Sequence, residues 1–150
     1  AKLPAPRWPT YLAIGLMLAI FAAIGFLFYR NSTMGWHALR DWVIYTAVLS
    51  ALGAAVAGGP PLSVLTGAVV GPLKPIRPPG LSSGVFSGMA EAWLRKPRVA
   101  DFQSLRKDLL HVSGWWRNRV ARTLLVFMLT NLGTIAGEYL AGIRTFSRLL

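Results

Sequence analysis

The chain has 150 residues, of which 54% are hydrophobic and 14% charged, and its mean hydropathy is positive. Its formal net charge is +11, and it contains no cysteine, which excludes disulfides, thiolate catalysis and zinc sites with cysteine ligands. This composition predicts an integral membrane protein with a single membrane domain, residues 1–150.

The first apolar run extends from Tyr11 to Tyr29 and contains no charged residue. As a helix it would be about 28 Å long, close to the thickness of the hydrocarbon core of a bilayer. A signal peptide is the alternative, but the run is longer than the usual apolar core, and Arg30 with Asn31 makes a poor cleavage site. We therefore predict a transmembrane helix over residues 11–29.

A second apolar region, residues 41–73, is interrupted by the sequence Gly58-Gly59-Pro60-Pro61. Two glycines followed by two prolines end a helix, and the piece from Leu62 to Leu73 is too short to cross a bilayer alone. The region is predicted to be a broken, re-entrant helical hairpin whose freed backbone groups are buried in protein or line a polar cavity. One broken span that crosses the membrane once is the alternative.

Ten of the sixteen basic residues lie between Lys74 and Arg122. Because Lys and Arg accumulate in cytoplasmic segments, residues 74–122 are predicted to be cytoplasmic in a multi-pass protein of the cell membrane. With a returning hairpin both termini would be outside, and with a single crossing the N-terminus would be inside. This bias accounts for the arginines beside the apolar runs, so nucleic acid is not a predicted partner.

Two helices are predicted within the basic region. Residues 80–94 carry Ser83, Ser87, Glu91 and Arg95 at a spacing of four, and Glu91 is expected to pair with Arg95. Residues 99–112 have the apolar spacing of an amphipathic helix lying in the membrane interface, with a small soluble cap as the alternative. Anionic lipid headgroups are the predicted partners of the nearby cations, which are Arg98, Arg106, Lys107, Arg117, Arg119 and Arg122.

The last apolar segment, Thr123 to Ile143, is flanked by arginines and predicts a second full span. Glycines at a spacing of four let helix backbones approach closely in lipid. Such pairs occur here and twice earlier, as Gly67 with Gly71 and Gly84 with Gly88. One face of the last span is therefore predicted to point into the bundle or towards a partner subunit, namely the face of Asn131, Gly133, Thr134, Gly137 and Glu138.

Glu138 is the one carboxylate within this last apolar segment. Ionisable groups inside a membrane are costly, which makes Glu138 a candidate functional residue. A simpler interpretation is that its side chain reaches the interface or pairs with Arg144.

Patterns typical of enzymes and of metal or cofactor sites are missing from the sequence. A membrane segment separates His37 from His111, and neither has a second histidine three or four residues away. Nucleophile-elbow, Walker and His-Glu-x-x-His motifs are absent. The protein is therefore predicted to be no enzyme and to bind no metal or cofactor.

Several strings in order resemble the C-terminal membrane region of the TraB/PrgY pheromone-shutdown family over about residues 35–142. They are Pro61-Leu62-Ser63-Val64-Leu65-Thr66, Glu91-Ala92-Trp93-Leu94-Arg95-Lys96-Pro97, Gly114-Trp115-Trp116-Arg117-Asn118-Arg119-Val120 and Asn131-Leu132-Gly133. In that family a soluble domain resembling the Tiki-type metalloproteases precedes the membrane region, and its Gly-x-x-His motifs hold the metal. This chain has no Gly-x-x-His, and it has Pro60 where the family pattern has a histidine, so proteolysis is carried over to no residue here.

The sequence thus predicts an all-α membrane protein with two full spans, a broken hairpin and a cytoplasmic interfacial helix. Its predicted function is that of a non-catalytic anchoring or assembly module, an accessory subunit that packs on other membrane subunits or on itself through the Gly133 face. One alternative is a small transporter or channel-like unit that uses the break at Gly58 and the carboxylate of Glu138. Another is the membrane part of a TraB/Tiki-like metalloprotease.

Overall fold

A computed structural model describes residues 4–77 and 81–150. Within this part of the chain there is no β-strand, which confirms the predicted all-α class. The helices are α1 (Trp8–Arg30), α2 (Ser32–Val56), α3 (Pro61–Val70), α4 (Ser83–Leu94), α5 (Val99–Asp108), α6 (Val112–Arg117) and α7 (Arg119–Ser147), with a short 3-10 helix at Gly71–Leu73 after α3.

Three of the helices, α1, α2 and α7, are long and apolar enough to cross a membrane. Two of them contain the predicted spans 11–29 and 123–143. The third differs from the prediction, because α2 is a helix of 25 residues that begins at Ser32, nine residues before the predicted hairpin. Polar residues inside it, including Arg40 and Asp41, concealed its length in the sequence. The structure therefore has three membrane-length helices where two full spans were predicted.

A tight turn at Asn31 reverses the chain between α1 and α2. The Asn31 side chain accepts a hydrogen bond from a backbone N–H in the first turn of α2, which caps that helix. Phe28 packs edge-on against Trp36, and Phe21 packs in the same way against Trp42 farther from the turn. The two helices are therefore antiparallel, and the start of α1 lies at the same end of the bundle as the end of α2.

The predicted break between Gly58 and Pro61 is confirmed. Gly58 has a φ of +76°, a left-handed conformation that glycine adopts without steric cost. Beyond the break α3 returns along α2, since Ser50 Oγ donates to the Gly67 carbonyl at 2.9 Å. Farther along, Trp42 Nε1 donates to the Pro72 carbonyl at 3.2 Å. The predicted returning hairpin over residues 41–73 is thus formed by the second half of α2 and by α3, and α2 begins nine residues before it.

Helix α4 runs back in the opposite direction, packed against α7. Near its start the Gly84 N–H donates to Asn131 Oδ1, and near its end Arg122 Nε donates to Glu91 Oε1. The predicted helix over residues 80–94 is confirmed from Ser83 onwards, and Gly80 lies outside the described residues.

This path divides the basic region that was predicted to be cytoplasmic. Lys74 precedes α4 and contacts Glu138, whereas Arg95 follows α4 and lies near Arg122. Glu138 and Arg122 are 16 residues apart on α7, which corresponds to about 24 Å of helix. Residues 74–122 therefore do not form one surface: Lys74 and Arg77 lie near Glu138, and the other eight cations lie near the start of α7.

The predicted amphipathic helix over residues 99–112 is shorter than expected. Helix α5 ends at Asp108, and the chain turns before α6 begins at Val112. None of the residues of α5 is buried, and the apolar side chains of Val99 and Phe102 are 75% and 60% exposed. This exposure favours the predicted interfacial helix over a tightly packed cap.

Candidate functional site

The interior of the bundle is unusually polar. Twelve buried residues of the described part are polar or charged, and twelve are hydrophobic. Many large apolar side chains lie on the outside instead, along α1, α2 and α7. The buried polar groups are therefore the candidate functional residues, because burying charged or unsatisfied polar groups away from water costs free energy.

The two polar stripes predicted from the sequence lie opposite each other and form a seam between α4 and α7. Ser83 Oγ and Thr134 Oγ1 are 2.6 Å apart, and the Gly84 N–H donates to Asn131 Oδ1 at 3.0 Å. We call this contact the polar seam. Asn131 Oδ1 and the Thr134 hydroxyl are therefore used inside the chain.

The glycines of the predicted packing face are also used within the chain. A Cβ added at Gly133 would lie 2.7 Å from the carbonyl carbon of Leu49 on α2, and one at Gly137 would lie 2.7 Å from Cα of Thr46. Both positions therefore sit at the crossing of α7 with α2. Of the two predicted orientations of this face, into the bundle or towards a partner subunit, the structure has the first, because α2 and α4 cover it.

Glu138 joins a charged group that we call the inner charged layer. Lys74 Nζ lies 2.6 Å from Glu138 Oε2, and Arg77 is close enough to interact electrostatically with the same carboxylate. Of the two simpler interpretations in the sequence, reaching the interface or pairing with Arg144, the second is wrong: Arg144 is exposed, and Lys74, 64 residues away, is the partner. Burial of Glu138 is confirmed at 7% exposure, whereas its predicted pairing is not.

A second ion pair belongs to the inner charged layer. Asp41, which is 7% exposed, is bonded at 2.7 Å to Arg148 at the end of α7, and Arg40 lies 3.5 Å away on its other side. Sequence reasoning missed this pair, because Asp41 and Arg148 are 107 residues apart and no local pattern joins them. Asp41 is ten residues from the turn at Asn31, or about 15 Å along α2, and it lies level with the end of α7.

At the other end of the bundle, Glu91 is fully buried and bound by two arginines. Arg122 Nε donates to Glu91 Oε1 at 2.8 Å, and Arg95 NH1 lies 3.6 Å from the same oxygen. The predicted pair of Glu91 with Arg95 is therefore confirmed, but Arg122 is the closer partner. We call these three residues the outer cation cluster. Arg122, which was predicted to bind lipid headgroups, forms an ion pair with this buried carboxylate.

An open groove of about 450 Å³ adjoins the outer cation cluster. Backbone carbonyls fix two of the arginines that line it: Arg95 NH1 donates to the Gly58 carbonyl at 3.0 Å, and Arg119 NH1 donates to the Lys96 carbonyl at 3.1 Å. The lining residues are Leu94, Arg95, Lys96, Arg119 and Arg122.

Asn118 joins the surface helices to the start of α7. Its Oδ1 accepts hydrogen bonds from two backbone N–H groups of α7, and its Nδ2 donates to Asp108 Oδ2 at 2.9 Å and to the carbonyl of Asp101 at 2.7 Å. Hydrogen bonds from Asn118 and then Ser104 hold the pKa of Asp108 below its ordinary value. The remaining predicted headgroup ligands, Arg98, Arg106, Lys107 and Arg117, are exposed on or beside these surface helices.

The described residues contain no group of three or more His, Asp or Glu side chains placed to hold a metal ion. The family model described as TraB family protein, C-terminal domain, matches residues 8–150. The chain belongs to the TraB family. No curated protein and no solved structure matches it.

Two of the strings that indicated the TraB family lie at the outer end of the bundle. Glu91, Arg95 and Lys96 come from one string, and Asn118 and Arg119 come from another. The outer cation cluster, the groove and the Asn118 junction are thus built from the segments by which this TraB domain was identified.

Proposed function

We propose that the TraB domain described here is a non-catalytic, membrane-embedded module that anchors and assembles with other membrane subunits or with a second copy of itself. The observation that carries this proposal is the distribution of side chains: buried ion pairs and hydroxyls inside, and exposed large apolar residues along three membrane-length helices. Lipid is the surrounding in which such an exterior is stable.

We place the proposed contact with a partner on α1, because α2 and α4 cover the face of α7 that was predicted for it. All buried residues of α1 lie between Ile20 and Leu27, and its first half, Trp8 to Ala19, contains none. Leu12 is 63% exposed, and a Cβ added at Gly15 would meet nothing within 4 Å. Apart from Leu16, which packs against the core, the rest of the chain therefore leaves most of this half uncovered, and we infer that a second helix packs there.

Cysteine cross-linking in native membranes tests this contact, because the chain contains no cysteine of its own. We expect Leu12→Cys to give an oxidised product, either a dimer or an adduct with another membrane protein. Leu132→Cys is the matched control, since Leu132 is 57% exposed on α7 and faces no proposed partner. Equal yields from the two variants, or a stable monomer in mild detergent with no partner, would contradict the assembly role.

A transport or channel-like role is the second candidate, and one observation favours it. Four buried side-chain oxygens have no hydrogen-bond partner within the described part of the chain: Glu91 Oε2, Ser63 Oγ, Thr130 Oγ1 and Glu138 Oε1. On α7, Thr130 is eight residues from Arg122, which binds Glu91, and eight from Glu138. Side-chain oxygens without a hydrogen-bond partner thus lie at the outer cation cluster, at Thr130 and at the inner charged layer. A polar path for ions along the bundle would require such groups.

Ion flux into proteoliposomes distinguishes this second candidate. If the path operates, Glu138→Gln is expected to abolish most of the flux, because it removes the buried carboxylate at the inner end. Arg144→Gln changes an exposed charge on the same helix and should leave the flux unchanged. Absence of proton or potassium flux through the unaltered chain would discard the transport role and leave the assembly role untouched.

A further inference from the structure

We propose that the groove beside the outer cation cluster is a binding site for a phosphate group. This site is separate from the helix contact proposed above, so either proposal can fail without the other.

The charge of the groove is the first argument. Arg95, Lys96, Arg119 and Arg122 line it, and Glu91 is the one carboxylate that forms an ion pair with these residues in the described part of the chain. Four positive charges are therefore opposed by one negative charge, which is buried behind the arginines. Like charges held close together repel, and an anion in the groove would relieve that repulsion.

The arginines are held in position before any ligand arrives. Arg95 is fixed by the Gly58 carbonyl, Arg119 by the Lys96 carbonyl, and Arg122 by Glu91. A guanidinium has five N–H donors, so each of these contacts leaves donors for a ligand. The planar fork of donors matches the oxygens of a phosphate, and fixed side chains lose little freedom on binding.

The groove also has an apolar side. Leu94 lines it and is 46% exposed, and the neighbouring Trp93 is 68% exposed. A lipid headgroup would place its phosphate among the cations and its acyl chains along these side chains, whereas a free phosphate compound would use the cations alone. The same recognition chemistry serves both sources, and the experiment must separate them.

The position of the site differs from the predicted spread of headgroup contacts. The groove contains Arg95 and Lys96, which were not among the predicted lipid ligands. Two predicted ligands on α5, Arg106 and Lys107, lie outside it. This difference supplies matched variants. Lys96→Gln with Arg119→Gln removes two charges from the groove, and Arg106→Gln with Lys107→Gln removes two charges outside it. None of these four side chains forms an ion pair with Glu91, so both variants should fold.

The test measures binding of phosphatidic acid to the full chain in a non-ionic detergent by native mass spectrometry, with phosphatidylcholine as the reference lipid. We expect the groove variant to bind phosphatidic acid about tenfold more weakly than the parent chain, and the α5 variant to change by less than about twofold. Equal losses in the two variants would show diffuse attraction to charge and overturn the site. Absence of selective binding by the parent chain, both of phosphatidic acid and of inorganic phosphate, would also overturn it.

Excess inorganic phosphate separates the two sources of the ligand. If phosphatidic acid stays bound in its presence, the site recognises a lipid headgroup. If inorganic phosphate displaces the lipid, and raises the thermal transition of the parent chain but not of the groove variant, the site recognises a free phosphate compound. Both results support a phosphate site in the groove.

Discussion

Replacement of Arg122 by alanine is expected to lower the free energy of unfolding by about 3 kcal/mol, because it leaves a buried carboxylate without its closest partner. Glu91 is fully buried, and its remaining ion-pair partner, Arg95, is 3.6 Å away and also bonded to the Gly58 carbonyl. Unfolding in mixed micelles of mild detergent and dodecyl sulfate, followed by circular dichroism, measures the change.

Two further variants show whether the unpaired charge of Glu91 causes the loss of stability in Arg122→Ala. Arg117→Ala removes an exposed cation next to the same helix start and should change the stability by less than about 0.5 kcal/mol. Combining Arg122→Leu with Glu91→Leu removes both members of the buried pair and should recover most of the loss, since apolar side chains often replace a buried ion pair at little cost. A loss with Arg122→Ala no larger than that with Arg117→Ala would mean that Glu91 is not held as described.

The same cluster shows what the sequence does and does not reveal. Glu91 and Arg95 are one helical turn apart, so their pairing is visible in the sequence. Arg122 is 31 residues from Glu91, and its role depends on α4 lying antiparallel to α7. No local pattern in the sequence predicts this packing of α4 on α7, and Arg122 was therefore assigned to lipid.

Helix α2 illustrates a second limit. The apolar content of α1 and α7 was sufficient to predict both as spans, and the glycines and prolines after Gly58 were sufficient to predict the break. The start of α2 carries Arg40 and Asp41, which lower its hydropathy, and these charges are tolerated because Arg148 reaches Asp41 from the end of α7. A helix whose charges are neutralised by distant residues looks like a loop when only its own sequence is considered.

The sequence predicted the two polar stripes of the interior but not the hydrogen bonds between them. Both stripes, the one containing Ser83 and the one containing Asn131 and Thr134, were recognised from helical spacing. That they bond to each other follows from the antiparallel packing of α4 on α7, which brings the start of α4 to the middle of α7. The glycines next to the stripe, Gly133 and Gly137, pack against α2 instead.

Replacement of Gly133 by alanine is expected to destabilise the isolated chain by about 1 to 3 kcal/mol, because the added carbon would collide with backbone. Its Cβ would lie 2.7 Å from the carbonyl carbon of Leu49, and a backbone carbonyl cannot move aside without shifting α2. The better helix propensity of alanine, worth about 1 kcal/mol, offsets only part of this cost. Thermal unfolding in detergent gives the measurement.

Gly25→Ala is the matched control, because a Cβ at Gly25 in α1 would meet nothing within 4 Å. This variant should be neutral or gain up to about 1 kcal/mol from helix propensity alone. Since the contact of Gly133 with Leu49 lies within one chain, the loss at Gly133 should also be independent of protein concentration. A Gly133→Ala chain that unfolds like the parent but associates more weakly would place Gly133 between subunits, and the packing of α7 on α2 described here would then be wrong.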